Sequence, residues 1–535
     1  MTEASQPEAA ADAAPTQPEF VSTAPETSAV AGAKSGSKRN KKSDRPQPWR
    51  DNIEAIAISI VTIVLFKYFV LEAYRIPTGS MQPTLFGNEE TGIFDRVIVD
   101  KFSYHFRDPE RFEIVVFKYP LESNKNFIKR IVGMPGEQMR LAGGDVFIKP
   151  KDASDWRVLR RSRAIQDAQL RRLTTGGDWL KLGDARAGWR VEGGSDGDDI
   201  EALGSGRVAY PRANSTMQIG GSSAGAPGSI RDGYLDGYPE GMKSKISVRG
   251  KGSGINDVSD LRVAAEVEAT AGTEWVRIRV HEAARTFSFA LPGPAAPDGA
   301  GARIEVSGLE PAYADTLTEA AAEPSLRLAA DDAVRVEVQN LNDLLELRID
   351  GDLVASLEIP PAPTQPRAYV DVAVEARDGA RTRIDDVRIW RDIYYIDLNQ
   401  KTTAWSIPDD SYVMLGDNSQ DSSDGRDWTA ARFQVVEGDD IDTVVRGNNR
   451  PWNARGNRAA VADGNPIEVA TKDGENLIFF RDENGERHVF DKAEVAQLTA
   501  ETAPYVPRDL IRGRAVLVVW PFSIKHDVYR WKWVR

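Results

Sequence analysis

One apolar stretch, residues 53–71, limits what this chain can fold into more than any other feature of its sequence. Its 19 residues include only two charged ones, Glu54 and Lys67. In a helix that rises about 1.5 Å per residue, such a stretch nearly spans the hydrocarbon core of a bilayer. The two long charged side chains would reach the headgroups. The stretch therefore predicts a single transmembrane helix, with a cleaved export signal and a helix in a soluble core as alternatives.

The position and the flanks of this stretch favour a membrane anchor of defined orientation. A cleaved signal normally lies close to the start of the chain, whereas about 50 residues precede this stretch. Basic residues are concentrated before it, at Lys34, Lys38, Arg39, Lys41, Lys42, Arg45 and Arg50. Because positive charge stays on the cytoplasmic side, the N-terminus is predicted inside, and the chain from residue 72 on the outer, periplasmic side of the cytoplasmic membrane. Residues 1–50 have a composition that predicts a disordered cytoplasmic tail.

Composition excludes several classes of function. The formal net charge is −13, so no basic surplus exists for binding nucleic acid. The chain has no cysteine, which excludes disulfides and thiolate nucleophiles. Its four histidines form no close ligand pair, and we expect neither a metal site nor a cofactor. The length of 535 residues predicts two or three folded units.

Short β-rich runs after the anchor predict a mostly β chain. Residues 96–101, 112–117 and 145–149 are such runs within residues 72–165, the expected first part of a catalytic core. Residues 170–392 alternate apolar and polar side chains over many more strands, which predicts an inserted β-sandwich. Within it, Asp350 and Gly351 predict the turn of a hairpin between residues 344–349 and 353–359.

The remaining segments divide into three. Residues 393–436 are expected to form the second part of the core, and residues 506–535 its last strand and an aromatic tail. Residues 437–505 form a polar insertion that is expected to contain one more small β unit or to be a long excursion, and the sequence does not assign it a role. The strand rhythm of the sandwich resembles laminin-G and concanavalin-like folds. Such a domain could bind glycan or protein, or act as a spacer.

Three separate segments carry residues that could perform acyl transfer. Ser80 lies in a turn with Pro77 and Gly79, where a hydroxyl and a backbone N–H can point the same way. Lys129 has apolar neighbours, and desolvation of its amine would allow it to take a proton from a serine. Residues 414–428 are dense in Asp, Asn, Ser and Gly. Taken singly, these are an ordinary turn, an exposed strand lysine, and a plain or calcium-binding loop.

Together the segments resemble the conserved boxes of bacterial type I signal peptidases (leader peptidases), in the same order. The nucleophile box is similar to residues 76–85, IPTGSMQPTL, and the following strand box to residues 95–99, DRVIV. The general-base box is similar to residues 128–137, IKRIVGMPGE, and the last box to residues 416–426, GDNSQDSSDGR. The resemblance covers well under half of the chain.

The resemblance implies a Ser–Lys dyad acting through an acyl-enzyme. Ser80 would be the nucleophile and Lys129 the general base. The backbone N–H of Ser80 and the hydroxyl of Thr78 would form the oxyanion hole. The supporting residues would be Ser422, which orients the lysine amine, the ion pair of Asp424 and Arg426, and the loop residues Asp417 and Asn418. Small apolar substrate pockets would be lined by Ile76, Met81, Leu85 and Ile128.

The implied function is removal of signal peptides from exported preproteins after Ala-x-Ala. Its partners would be these preproteins and the lipid bilayer, and the secretion translocon fits the same setting. Two alternatives stay open. One is a scaffold without activity that displays the sandwich for binding, and the other is a peptidase dedicated to a single substrate that the insertion selects.

Overall fold

The computed structural model describes most of the chain beyond residue 47. The described residues are 48–173, 175–182, 188–194, 197–212, 226–246, 254–310, 313, 319–321, 326–362, 367–396, 404–437, 440–450, 464–471, 474–523 and 528–534. The predicted disordered tail lies outside the described residues, apart from residues 48–50. The chain divides into two compact units, residues 1–61 and residues 62–535.

Helices are few. They are α1, Pro48–Phe69, α2, Arg163–Gln169, and α3, Glu240–Lys243, with short 3-10 turns at Ser103–His105 and Arg508–Leu510. No helix in the described part of the chain is both long enough and apolar enough to cross a membrane. The predicted transmembrane helix is therefore not confirmed, although α1 covers most of the apolar stretch on which that prediction depended.

Strands make up most of the ordered structure. Before residue 160 they are β1 Leu71–Arg75, β2 Gly87–Asn88, β3 Ile93–Phe94, β4 Arg96–Asp100, β5 Ile114–Tyr119, β6 Glu122–Gly133, β7 Gln138–Ala142, β8 Asp145–Lys149 and β9 Arg157–Val158. Between residues 171 and 391 they are β10 Arg171–Arg172, β11 Leu180–Leu182, β12 Trp189–Gly193, β13 Asp198–Leu203, β14 Gly206–Tyr210, β15 Leu261–Ala269, β16 Thr273–Glu282, β17 Arg285–Pro292, β18 Arg303–Ser307, β19 Glu319–Ala321, β20 Ala333–Leu341, β21 Leu344–Ile349, β22 Asp352–Glu358, β23 Ala368–Ala376 and β24 Arg381–Arg391. Beyond residue 400 they are β25 Trp405–Ser406, β26 Ser411–Leu415, β27 Thr429–Glu437, β28 Asp440–Asn448, β29 Ile467–Ala470, β30 Asn476–Arg481, β31 Arg487–Asp491, β32 Val495–Thr502, β33 Tyr505–Pro507, β34 Ile511–Trp520, β35 Phe522–Ser523, β36 Val528–Tyr529 and β37 Lys532–Trp533. The prediction of a mostly β chain is confirmed.

One antiparallel sheet joins segments from both ends of the chain. Its strand order is β1-β4-β34-β5-β6-β26-β33, with β37 added to β34. Strand β34 lies between β4 and β5, although about 400 residues separate it from them in sequence. Strand β26 pairs with β6 on the other side, with Leu415 opposite Arg130. This sheet therefore brings the nucleophile, general-base and last boxes onto neighbouring strands and loops.

Two further antiparallel sheets occupy residues 171–391. One has the order β12-β13-β24-β15-β20-β21-β22, and the other β11-β14-β23-β16-β17-β18-β19. Alternate residues of both, such as Val263, Ile278 and Val372, belong to a single buried apolar cluster. Burial of this shared cluster away from water is the main force that holds the two sheets together. The domain boundaries expected from the sequence stay predictions, because residues 62–535 form one compact unit.

The hairpin of β21 and β22 is confirmed. Ile349 pairs with Asp352, so the loop consists of Asp350 and Gly351 alone. Both have positive φ, 51° and 94°. Two positive φ values in a two-residue loop match the right-handed twist of the flanking strands, and Asp-Gly tolerates them well. The small β unit expected within residues 437–505 is also confirmed, as the three-stranded sheet β29-β30-β31.

Candidate active site

Ser80 lies in a tight turn that follows β1. This segment, residues 76–86, is called the Ser80 turn below. Its backbone is closed by hydrogen bonds from Gln82 N to Gly79 O at 3.0 Å and from Leu85 N to Met81 O at 2.9 Å. The side chain amide of Gln82 donates to Gly87 O at 2.8 Å and ties the turn to β2. Ser80 itself is 8% exposed, so its hydroxyl lies at the edge of the interior.

Lys129 is held by β6 directly beside this serine. Its Nζ lies 2.7 Å from Oγ of Ser80 and donates to Ile128 O at 3.1 Å. The side chain is buried, with the ring of Phe127 5.5 Å from the amine. Burial lowers the pKa of Lys129 from 10.5 to about 8, because a charged amine is poorly solvated there. Nearby Asp424 and Asp427 oppose this effect only in part.

The loop after β26 fastens the backbone of the Ser80 turn. The N–H of Asn418 donates to Ser80 O at 3.1 Å, and its side chain amide donates to Gly79 O at 3.0 Å. Gly416 approaches so closely that a Cβ there would lie 2.5 Å from Ser80 O. A residue with a side chain at position 416 would therefore push the serine backbone away, which explains why this position requires glycine.

Two buried ion pairs support the loop. The guanidinium of Arg130 binds both oxygens of Asp417, at 2.8 and 2.7 Å, and neither side chain has exposed surface. Arg426 binds both oxygens of Asp424 at 2.8 Å. Burial alone would raise the pKa of either carboxyl, but the facing arginine holds each pKa below its usual value. Both aspartates are therefore ionised, and Gly416 N donates to Asp424 at 2.8 Å.

One predicted site residue, Ser422, does not make the contact expected of it. Its buried Oγ makes no hydrogen bond to the lysine amine, and its hydroxyl instead contributes to the low pKa of Asp424. The amine instead lies against Ser80 and Ile128 O. Oγ of Ser422 does face the serine backbone across Gly416, since a Cβ on that glycine would lie 2.1 Å from it. Thr78 is exposed to solvent.

The four predicted pocket residues differ in accessibility. Ile76, Met81 and Leu85 are buried together in an apolar cluster with Val97 and Val116, among others. Met81 and Leu85 have no exposed surface. Ile128 is only half-buried and packs against the edge of this cluster. A substrate side chain could therefore reach Ile128, whereas Met81 and Leu85 form the floor beneath the turn and lie out of its reach.

Sequence reasoning missed three residues that hold the Ser80 turn. Arg130 lies next to Lys129 in the quoted box, but nothing in its spacing indicates Asp417 as its partner. Arg530 binds both oxygens of buried Asp95, at 2.7 and 2.9 Å, and donates to Thr84 O at 3.0 Å. Arg171, from the first strand of the two inserted sheets, donates to Gln82 O at 3.2 Å. Each contact joins residues that are far apart in sequence.

One group of side chains among the described residues could hold a metal ion. It consists of Asp482, Glu486 and His488, in the small β unit beyond residue 464. Nε2 of His488 lies 3.0 Å from Oδ2 of Asp482. The Ser80–Lys129 pair contains none of these residues, and the expectation of a metal-free site there stays a prediction.

Comparison with known protein families finds a match for the first part of the chain. Residues 49–187 match the family model described as signal peptidase, peptidase S26. The match covers well under half of the chain. It includes Ser80 and Lys129 but ends well before Asp417, Asp424 and Arg426, which only the fold brings to the same place.

Two of the relatives that the chain matches are named as signal peptidases. A probable signal peptidase I-2 from Synechocystis is 38% identical over 119 residues, which cover 21% of this chain and 51% of the relative. A signal peptidase I from Leptolyngbya laminosa is 42% identical over 109 residues, which cover 19% and 50%. The chain thus spans about half the length of the relatives it matches.

Solved structures resemble the molecule only loosely. A family 7 alginate lyase, A1-II′, aligns over 41% of this chain and 94% of its own, at 8% identity and a TM-score of 0.25. A likeness of that size carries no argument about this chain.

Proposed function

We propose that this protein is a membrane-associated serine endopeptidase that removes signal peptides from exported preproteins. The observation that carries the proposal is the distance of 2.7 Å between Nζ of Lys129 and Oγ of Ser80. The low pKa of the buried amine, about 8, supports it, because the neutral amine is the form that accepts a proton. Similarity of residues 49–187 to the peptidase S26 family points the same way.

In the proposed acylation, Lys129 acts as general base. Its neutral amine takes the hydroxyl proton of Ser80 while Oγ attacks the carbonyl carbon of the scissile peptide. The backbone N–H of Ser80 and the hydroxyl of Thr78 would donate to the oxygen that becomes negative. The ammonium then returns its proton to the leaving amine, and the new N-terminus departs.

In the proposed deacylation, the same amine activates water. Lys129 takes a proton from a water molecule, whose oxygen attacks the ester carbonyl of the acyl-enzyme. The ester bond breaks, Oγ of Ser80 regains a proton from Lys129, and the signal peptide leaves as a carboxylate. Burial of the amine serves both half-reactions, because solvation would keep it charged at neutral pH.

The support for Ser80 fits a turn that must stay in place through both steps. Asn418 fixes the serine carbonyl from one side, and the ion pairs of Asp417 and Asp424 hold the loop that carries Asn418. Ser422 is buried beside Gly416, and the proposal gives it the role of orienting the lysine amine.

We propose Ala-x-Ala as the substrate preference and the outer face of the cytoplasmic membrane as the location, with the N-terminus inside. Ile128 would contact the small side chains before the scissile bond. Membrane contact is supported by exposed aromatic residues near the end of the described chain, Trp520, Tyr529, Trp531 and Trp533, since such rings favour the bilayer interface. The secretion translocon is the partner that would deliver preproteins to this side.

Cleavage of a preprotein by single-residue variants tests the proposal. We expect Ser80→Ala and Lys129→Ala each to lower the rate by at least about 10³-fold, since each removes a reacting group. Lys125→Ala is the matched control. It lies on the same strand, is partly exposed and pairs with Glu122 at 2.9 Å, so its rate should match that of the unmodified protein.

A comparison of two kinds of preprotein separates the proposal from its alternatives. Preproteins with Ala before the scissile bond should be cleaved, and the same preproteins with a bulky residue there should not. Unchanged processing by both dyad variants would mean that another group performs the cleavage. No processing by any form would favour a scaffold that only displays the inserted sheets.

A further inference from the structure

A buried arginine of the two inserted sheets contacts the Ser80 turn. Nη2 of Arg171, at the start of β10, donates to Gln82 O at 3.2 Å and also to Asp417 O. The first carbonyl belongs to the Ser80 turn, and the second belongs to the loop that carries Asn418. One guanidinium nitrogen thus joins the two segments that meet at Ser80.

A tyrosine from the same insertion makes the second contact. The hydroxyl of Tyr238 donates to Oε1 of Gln82 at 2.5 Å, and the amide of that glutamine donates onward to Gly87 O. The ring of Tyr238 packs edge-on against Phe86, with centroids 5.5 Å apart. Tyr238 therefore fixes the side chain of a residue two positions from Ser80.

The segment that carries Tyr238, residues 231–246, is itself anchored on both sides. Arg391 of β24 donates to Oδ2 of Asp236 at 2.5 Å and to Gly233 O at 2.7 Å. On the other side, the hydroxyl of Tyr234 donates to Asp421, in the loop after β26, at 3.1 Å. The segment is thus bound both to the inserted sheets and to the loop after Asn418.

Packing alone does not explain Arg171. The side chain is 5% exposed, its Nε has no partner, and it makes no ion pair with a carboxylate among the described residues. Burial, with the positive charge of Arg391 as the next cause, lowers the pKa of Arg171 to about 10. The negative charges of Asp417 and Asp236 oppose this effect only in part, so the buried cation is costly, and an apolar side chain of similar volume would fill the same space at less cost. What only the arginine provides is the link between its two carbonyl acceptors.

We propose that Arg171 and Tyr238 are positioning residues that hold Ser80 against the amine of Lys129. Through them the insertion supports the reacting pair and is more than a spacer between two halves of a core. The inference rests on the proposed function, because it assigns these residues to the same reaction. It also means that removal of residues 170–392 would disturb the Ser80 turn itself.

Two variants and a matched control test the inference in the full chain. Arg171→Met removes the guanidinium but keeps the volume, and Tyr238→Phe removes one hydroxyl. Arg285→Met is the control for loss of a buried guanidinium remote from Ser80. Arg285 is equally buried, pairs with Glu282 at 3.3 Å and donates to Pro360 O at 2.8 Å and Pro361 O at 2.9 Å, all within the insertion. The readouts are kcat and KM for a preprotein, the melting temperature, and the rate at which a fluorophosphonate modifies Ser80. In that modification an Oγ–P bond forms, fluoride leaves, and the proton passes to Lys129.

We expect kcat and the modification rate to fall on the order of tenfold in both variants, since each loses a buried hydrogen bond that sets geometry. KM should stay within about twofold, and Arg171→Met should melt no lower than the unmodified protein. The control should keep both rates. The pH at which modification is half-maximal should stay near 8, because Lys129 remains buried.

Modification rates equal to those of the unmodified protein in both variants would overturn the inference. A pH midpoint that moves towards 10.5 would do so as well, because it would mean that the variants expose Lys129 and act by general loosening. If the unmodified protein reacts with fluorophosphonate but cleaves no preprotein, the proposed function fails. The modification rates of the two variants then still decide the inference.

Discussion

The Ser80 turn and the hairpin of β21 and β22 are both tight reversals of the chain, but they are held in opposite ways. The hairpin is closed by pairing of its own two strands across Asp350 and Gly351. The Ser80 turn is held by side chains from Asp417, Arg530 and the insertion, which lie up to 447 residues away in sequence. A turn that presents a reactive group must resist displacement by substrate, and remote contacts provide a stiffness that adjacent residues alone do not.

The largest expected effect is on the remote support of the turn. Asp417→Ala leaves Arg130 as an unpaired charge with no exposed surface, which costs about 3–5 kcal/mol of unfolding free energy. Urea unfolding measures this loss, and preprotein cleavage should be lost with it. Asp352→Ala, at an exposed position of the hairpin, is the comparison, with an expected change within about 0.5 kcal/mol. Equal midpoints for the two variants would show that the turn needs no remote charge pair.

The second effect is a dependence of the cleavage rate on pH, which should arise at the Ser80 turn and not at the hairpin. Burial puts the pKa of Lys129 near 8, so the neutral base is scarce below that pH and dominant above it. The rate of cleavage should therefore rise about tenfold per pH unit at acidic pH and level off above about pH 8. A profile of kcat/KM against pH measures this, with Lys125→Ala giving the same curve. A rate that keeps rising to about pH 10 would mean that the amine is solvated.

The smallest effect is expected at the hairpin. Gly351 has φ of 94°, and a Cβ added there would meet nothing within 4 Å, so Gly351→Ala strains the backbone without a clash. We expect a loss of about 1 kcal/mol in unfolding free energy. Cleavage should be unchanged. A reduced cleavage rate in this folded variant would show that the hairpin and the Ser80 turn are coupled and are not held independently.

The same contrast explains which parts of the molecule can be predicted from the sequence. The hairpin follows from Asp350 and Gly351 between alternating residues, because turn chemistry is local. Ser80 and Lys129 follow from motif resemblance, and the sheet pairs the strands on which both depend. The ion pair of Arg130 and Asp417 cannot be predicted from the spacing of the motifs, because the two residues are 287 positions apart in sequence.

The bond between Asp95 and Arg530 sets an order of events during synthesis. While the chain is still being translated, Asp95 and the turn beside it leave the ribosome long before residue 530 is made. At about 5–20 residues per second, the 435 residues between them take on the order of half a minute or more. During that interval the Ser80 turn lacks the hydrogen bonds that Arg530 donates. We therefore expect the nascent protein to be inactive until Arg530 has been translated.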